Sequence, residues 1–265
     1  MSTHPFRPNR RSFLRAGAAG VALLPFQNPA LAQAKKPPVP LTKYTAKYFN
    51  ADEWVFIQAA TARLIPSEGD GPGAIEARVP VFIDNQLAGD FGQAADWYME
   101  GPHKADADPL MGFQSPLTPA EIYRQGIAVF DKWCADTMGK RFADLDADGQ
   151  DAALKALEGK GDQQKPTHAA GGDFAQFNPS TQGAGQAAPE ATKVPLPPEL
   201  RNFFSLLLQN TKEGYFADPM YGGNHEMAAW VYIGFPGARA NFREWVDQDN
   251  VPYPLGPVSI SGERA

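Results

Sequence analysis

Asp144, Asp146, Asp148 and Gly149 have the spacing that opens a calcium-binding loop, where alternate carboxylates ligate a hard cation. The twelfth position of such a loop takes a bidentate Glu. Here it is Lys155, whose ammonium group repels the ion. Asp146 or Asp148 as a helix cap is the reading these residues favour. His103, His168 and His225 are scattered, and none stands at metal-ligand spacing from another His or from a Cys. His225-Glu226 begins like a zinc-protease helix, but the fifth position is Ala229. Asp247 and Asp249 are an acid pair of the kind used in hydrolysis, and equally an ordinary acidic surface. There is no G-x-S-x-G, no phosphate-cradling glycine loop before a helix, and no G-x-G-x-x-G after a strand. One cysteine excludes an internal disulfide framework, a Cys-rich metal site and a c-type haem attachment. That cysteine, Cys134, has two readings: buried and inert, or bridged to another chain.

The elements that must position these groups read as helices. Asn50 with Glu53 forms a capping-box pattern, and the apolar run from Trp54 through Ile65 follows it up to Pro66. A second helix is expected over Ala74 to Leu87 despite Pro80. Thr118-Pro119-Ala120-Glu121 starts a third, with Ile122, Gly126, Val129, Phe130 and Trp133 on one face and Ile127, Cys134 and Met138 beside it. A shorter helix spans about Asp148 to Leu157. Pro198-Glu199 opens the next, where Leu200, Phe203, Phe204, Leu207 and Leu208 give the strongest helical periodicity in the chain. A last one is expected from His225 to Ile233, capped by Asn224 and ended by Gly234 and Pro236. Asn241 to Asp247 has room for a turn or two. Residues 88–117 and the tail from Val251 are rich in turn residues. The stretch 159–196 is too poor in large apolar groups to build a core. The expected class is mainly α: an irregular helical domain with long ordered loops and few or no strands.

Composition agrees. The chain has 265 residues, 43% of them hydrophobic, with Gly and Pro at 25 each and a formal charge of −6. The apolar fraction suffices for a packed core, and the acidic balance argues against a nucleic-acid partner. The N-terminus reads as an export leader. Arg10 and Arg11 are followed by Phe13 and Leu14, then by a short Gly/Ala-rich apolar stretch, and Ala30-Leu31-Ala32 offers a small-x-small cleavage site. Residues 1–32 hold four of the 24 basic groups and none of the 30 acidic ones, so cleavage would leave 20 basic against 30 acidic. The expected organisation is a twin-arginine signal over 1–32, an extended lead-in over 33–48 and one helical domain over 49–265. The expected location is the periplasm, with no membrane span after cleavage.

Several segments together resemble a known family. They are Ala62-Arg63-Leu64-Ile65-Pro66, Gly73 to Asp84 (GAIEARVPVFID) and Gln86-Leu87-Ala88-Gly89. The most specific is Glu213 to Asn224 (EGYFADPMYGGN), continuing to Trp230 and Gly234-Phe235-Pro236-Gly237. With the twin-arginine leader, these resemble the small subunit (subunit 3, gamma chain) of membrane-bound gluconate 2-dehydrogenase. The resemblance implies a chain that is no enzyme by itself and holds no cofactor. Its partners would be a large FAD-dependent dehydrogenase subunit, which travels with it through export, and a multihaem cytochrome c subunit, which carries haem c. The complex would be held at the inner membrane through these partners. In the matched stretch, Asp218 and Asn224 are expected to bond backbone, and Gly222 and Gly223 to permit positive φ or close approach. Pro219, Tyr221 and Trp230 complete that structural motif. The competing expectation is a free-standing periplasmic enzyme or binding protein with an unrecognised pocket.

Overall fold

The computed structural model describes residues 38–104, 107, 111, 113–159, 193–251 and 253–265. The leader residues Arg10, Arg11, Phe13, Leu14, Ala30 and Ala32 lie outside the described residues. So do His168 and most of the 159–196 stretch. The chain divides into two units at Tyr44. In the first, the described part holds one 3-10 turn, Leu41–Lys43, closed by the Lys43 N–H on the Pro40 carbonyl. The second, Thr45–Ala265, is helical, and no strand occurs among its described residues.

Helix α1, Ala51–Leu64, begins where the sequence places it. The Glu53 N–H donates to Asn50 Oδ1 at 2.9 Å, and the Asn50 N–H donates to Glu53 Oε2 at 3.0 Å. This reciprocal cap satisfies two of the backbone groups that every helix start leaves open. Helix α2 is Val79–Ala88, later than the expected start at Ala74. Pro80 is the reason. Its ring would clash with a preceding helical turn, so it sits in the first turn, where its missing N–H costs nothing. The chain enters α2 through Arg78 in the left-handed region at φ 57°. Helix α3, Pro119–Met138, has its own capping box between Thr118 and Glu121 and ends on Gly139 at φ 77°. Helix α4 is Ala147–Glu158, capped by Asp146 Oδ1, which accepts from the Gly149 N–H at 2.9 Å.

Helix α5, Phe203–Phe216, corrects the expectation of a helix opening at Pro198. Pro197 is held extended by the proline after it, and Pro198–Leu200 closes only a 3-10 turn. The α-helix therefore starts at Phe203, and its buried stripe runs through Phe203, Leu206, Leu207, Asn210, Thr211, Gly214 and Tyr215. Phe204 and Leu208 are left half-buried at its edge. A similar offset occurs in α3. Its buried face is centred on Ile122, Tyr123, Gly126, Ile127, Phe130 and Cys134, with Val129 and Trp133 half-buried. A Cβ on Gly126 would stand 2.5 Å from the Phe203 ring, so a side chain smaller than alanine's is required where α3 crosses α5.

The core is aromatic. Phe56 of α1, fully buried, meets Phe130, Phe142 and Phe203 with ring centroids 6.0, 5.1 and 6.4 Å apart. Several of its buried polar groups are partnered nearby. Tyr123 Oη donates to the Leu206 carbonyl and accepts from Asn210 Nδ2 at 3.1 Å. The Thr61 and Thr211 hydroxyls donate back to carbonyls one turn earlier in their own helices. Buried hydroxyls and amides of this kind are tolerated only when so satisfied. Arg63 of α1 forms a two-pronged pair with Asp151 of α4, at 2.7 and 2.6 Å.

Residues 47–49 are anchored by a buried carboxylate. Asp84 of α2 is fully enclosed and accepts the backbone N–H groups of Lys47, Tyr48 and Phe49 at 2.8, 3.0 and 3.2 Å. Arg124 of α3 lies over the Tyr48 ring at 4.4 Å, donates to the Tyr48 carbonyl and pairs with Glu53. Residues 47–49 are thereby held, with the chain bent at Lys47 and Tyr48, against α2 and α3. Among the described residues, no helix is long and apolar enough to cross a membrane.

Candidate partner-binding surface

The segment after α5 is built from backbone outward. At Gly222 the chain takes φ 99°, and a Cβ on Gly223 would stand 2.1 Å from the Gly214 carbonyl oxygen. Only glycine lets this turn lie so close to α5. The close approach puts the Asn224 N–H on that same Gly214 carbonyl at 3.0 Å. Asn224, fully buried at φ 40°, then bridges two elements. Its Nδ2 donates to the Ala217 carbonyl and its Oδ1 accepts the Ala229 N–H, both at 3.0 Å. The second bond caps a short helix, α6, Ala228–Ile233. The expected start at His225 is instead a 3-10 turn, His225–Met227, because Glu226 and Met227 both adopt positive φ. Trp230 of α6 donates its Nε1–H to the Phe216 carbonyl at 2.8 Å.

Asp218 faces the other way. Its Oδ1 accepts the Met220 N–H at 3.1 Å and its Oδ2 the Ile260 N–H at 2.6 Å. The carboxylate therefore ties the turn to the C-terminal tail. Pro219 and Tyr221 bound the 3-10 turn Pro219–Tyr221, and Asn85 Nδ2 reaches the Tyr221 carbonyl at 3.3 Å. The polar side chains Asp218 and Asn224 are thus turned onto backbone, while the apolar ones are turned outward. Val231, Tyr232 and Ile233 are consecutive in α6 and expose 54%, 56% and 53% of their surface. Phe216, Met220, Tyr221 and Phe235 are also exposed. A helix apolar around most of its circumference belongs in an interior. The Tyr232 ring rests on Gly71 along one edge while more than half of the residue stays exposed, and Tyr215 Oη donates to the Pro72 carbonyl at 2.7 Å.

The remaining candidates fall elsewhere. Asp144 pairs with Arg141 at 3.2 Å and Asp146 caps α4, so these carboxylates have structural partners. His103 is exposed in an irregular segment, and His225 lies in the turn before α6. Asp247 and Asp249 are exposed on a C-terminal loop. Cys134 is a free thiol, fully buried on the inner face of α3, and burial with the Asp131 charge nearby pushes its pKa up to about 12. A sulfur so enclosed gives no geometric basis for a bridge to another chain, since a disulfide needs the two sulfurs about 2 Å apart. The sequence reading missed the outward apolar set of α6. The signal was present: Trp-Val-Tyr-Ile in a six-residue helix cannot all point inward.

A family model, gluconate 2-dehydrogenase subunit 3, matches residues 51–237, from the first residue of α1 to just beyond α6. The chain belongs to the gluconate 2-dehydrogenase subunit 3 family. Comparison with curated proteins and with solved structures gives no match. Members of this family associate with other gluconate 2-dehydrogenase subunits. The matched range contains the Asp218–Asn224 turn and α6, and stops where the C-terminal loop begins.

Proposed function

We propose that this chain is the non-catalytic small subunit of a periplasmic, membrane-associated, FAD-dependent gluconate 2-dehydrogenase-like complex. In this reading it carries the flavoprotein subunit through the twin-arginine route, assembles with it and stabilises it. A multihaem cytochrome c completes the complex, and FAD and haem c reside in those partners. The observation that supports the reading is the outward face of α6, Val231-Tyr232-Ile233, inside the family-matched range and held rigid by Asn224 and Trp230. An exposed apolar patch on a braced helix is the mark of a surface covered by another chain. Its contribution would act through linkage. A partner that binds only the folded flavoprotein stabilises it by about 2.7 kcal/mol at a hundredfold excess over Kd.

The test is co-expression of the flavoprotein subunit with residues 33–265. Yield and thermal stability of the flavoprotein should rise together, with little change in turnover per flavin. Val231→Lys with Ile233→Lys should leave this chain folded and remove the gain. Arg10→Lys with Arg11→Lys in the full chain should hold both subunits in the cytoplasm, because lysine lacks the planar guanidinium. Flavin co-purifying stoichiometrically with this chain alone, or a flavoprotein equally stable without it, refutes the reading.

A further inference from the structure

Helix α6 lies inside a loop whose two ends are held by the same short piece of chain. Residues 257–265 fold back on themselves. The Ser259 N–H donates to the Glu263 carbonyl at 2.9 Å, Ser259 Oγ accepts the Glu263 N–H at 3.0 Å, and the Ala265 N–H donates to the Pro257 carbonyl at 3.2 Å. Gly262 turns this segment at φ 83°, and Val258 bridges antiparallel to Arg264. The same segment also bonds the chain on both sides of α6. The Val258 N–H donates to the Pro236 carbonyl at 3.2 Å and the Val258 carbonyl accepts the Ala238 N–H at 2.7 Å, a parallel bridge around Gly237. Two residues on, the Ile260 N–H donates to Asp218 Oδ2 at 2.6 Å. Residues 258–260 therefore join Asp218 to Pro236 and Ala238. What lies between, the turns at 219–221 and 225–227 and α6 itself, is a closed loop.

That loop gathers unfavourable backbone. Asn224, Glu226 and Met227 have φ of 40°, 55° and 57°. A residue with a Cβ avoids this region and stays in it only where the surroundings fix it. Asn224 is fixed by its two side-chain bonds and Met227 by burial. Glu226 is exposed, so its conformation is set by the chain on either side of it. The family match ends at residue 237. Residues 257–265 lie outside it, while Asp218 and Pro236, which they hold, lie inside.

We propose that residues 257–265 are a clasp that regulates α6. Seated, they hold both ends of the 218–238 loop, keep the 224–227 turn in its strained form and present Val231-Tyr232-Ile233. Lifted, they let the turn relax, and the face loses its order. Where it concerns a partner, this inference rests on the subunit reading above. Two positions give access to the device. A Cβ on Gly237, at φ 73°, would stand 2.2 Å from the Val258 carbonyl oxygen, so alanine there expels Val258. Asparagine at 218 keeps Oδ1 for the Met220 N–H and replaces the acceptor of the Ile260 N–H with a donor.

The experiment is residue-resolved amide exchange on the full chain. Asp218→Asn and Gly237→Ala should each speed exchange at Ala229 and Phe235 by about tenfold, while α1 and α3 keep the parent rates. A clasp acts through one tail, so the double variant should exchange no faster than the faster single variant, whereas two independent anchors would multiply. Glu226→Gly suits the left-handed turn and should slow α6 exchange in the Gly237→Ala background. Parent rates in α6 for both single variants, or multiplied effects in the double variant, overturn the clasp. So does exchange in α1 and α3 that rises with α6, because the tail would then be part of the body. A Gly237→Ala background unmoved by Glu226→Gly overturns the role of strain. Binding of the purified flavoprotein subunit should weaken in the order in which α6 exchange rises, and parent-level binding by both variants overturns the regulation of the face. A parent chain that does not bind at all defeats the subunit reading instead, with the exchange result still deciding the clasp.

Discussion

Helices α5 and α6 are separated only by residues 217–227, and both are largely apolar, yet their side chains have opposite fates. In α5 the inward stripe includes Asn210 and Thr211, both buried and both hydrogen-bonded, while Phe204 and Leu208 are only half-buried. In α6 Ala229 and Trp230 go inward, and Val231, Tyr232 and Ile233 go out. Polarity alone therefore does not sort residues between core and surface. What decides is whether a facing element exists to receive them. Helix α5 has α2 and α3 against it. Helix α6 has support on one side only, so its apolar residues describe an interior that another chain would complete.

This contrast between a closed body and an open edge can be attacked at several points. The largest effect on the isolated chain belongs to Phe56→Ala, which empties the space between three rings. A loss of about 3–5 kcal/mol is expected by urea unfolding. A loss below about 1 kcal/mol would mean that the body is not the stabilising region. Next is Asn224→Ala. It strands the Ala217 carbonyl and the Ala229 N–H in a buried site and puts alanine at positive φ. The expected loss is about 2–3 kcal/mol, with amide exchange accelerated in α6 before the body. Val231→Ala with Ile233→Ala should change the isolated chain by no more than about 0.5 kcal/mol each. A larger loss would show that these groups are already buried without a partner.

The smallest effect is visible only as a difference between two pH values. Burial pushes the Asp131 carboxyl above its ordinary range, although the Phe142 N–H and the Arg141 charge oppose the shift. A carboxyl raised in the folded state adds stability that is complete below the unfolded pKa, about pH 4, and is lost as pH rises through the folded value. Asp131→Asn retains an acceptor for the Phe142 N–H. It should match the parent below about pH 4 and be the more stable of the two at neutral pH. Denaturant midpoints at both pH values check this, and the opposite order would reverse the assignment.

What was legible in the sequence was local. The capping boxes at Asn50/Glu53 and Thr118/Glu121 are each contained within four residues and both form, and of the two cap candidates Asp146 and Asp148 it is Asp146 that caps. The helical class followed from periodicity, which survives even when the register is misjudged. What was not legible depends on distant chain. The buried face of α3 is set by the Phe203 ring against Gly126, and the start of α2 by how Pro80 is approached. The Asp218–Asn224 turn stood out through its resemblance to the family stretch, and its glycine pair as a turn signal. The partners of this turn at Gly214, Ala229 and Ile260 were not legible. Asp84 gave only a hint, a lone carboxylate in Val-Phe-Ile-Asp, because its donors lie 35 to 37 residues earlier.

That spacing sets a schedule. Residues 47–49 are added to the chain 35 to 37 residues before Asp84, so the carboxylate that will hold them does not yet exist when they are made. At about 5–20 residues per second the carboxylate follows roughly 2–7 seconds later, and it becomes a receptor only once α2 has formed. Through that interval the lead-in remains free chain between whatever precedes it and the nascent helices. Residues 47–49 are therefore made before their receptor, and their capture reports that α2 has taken its place.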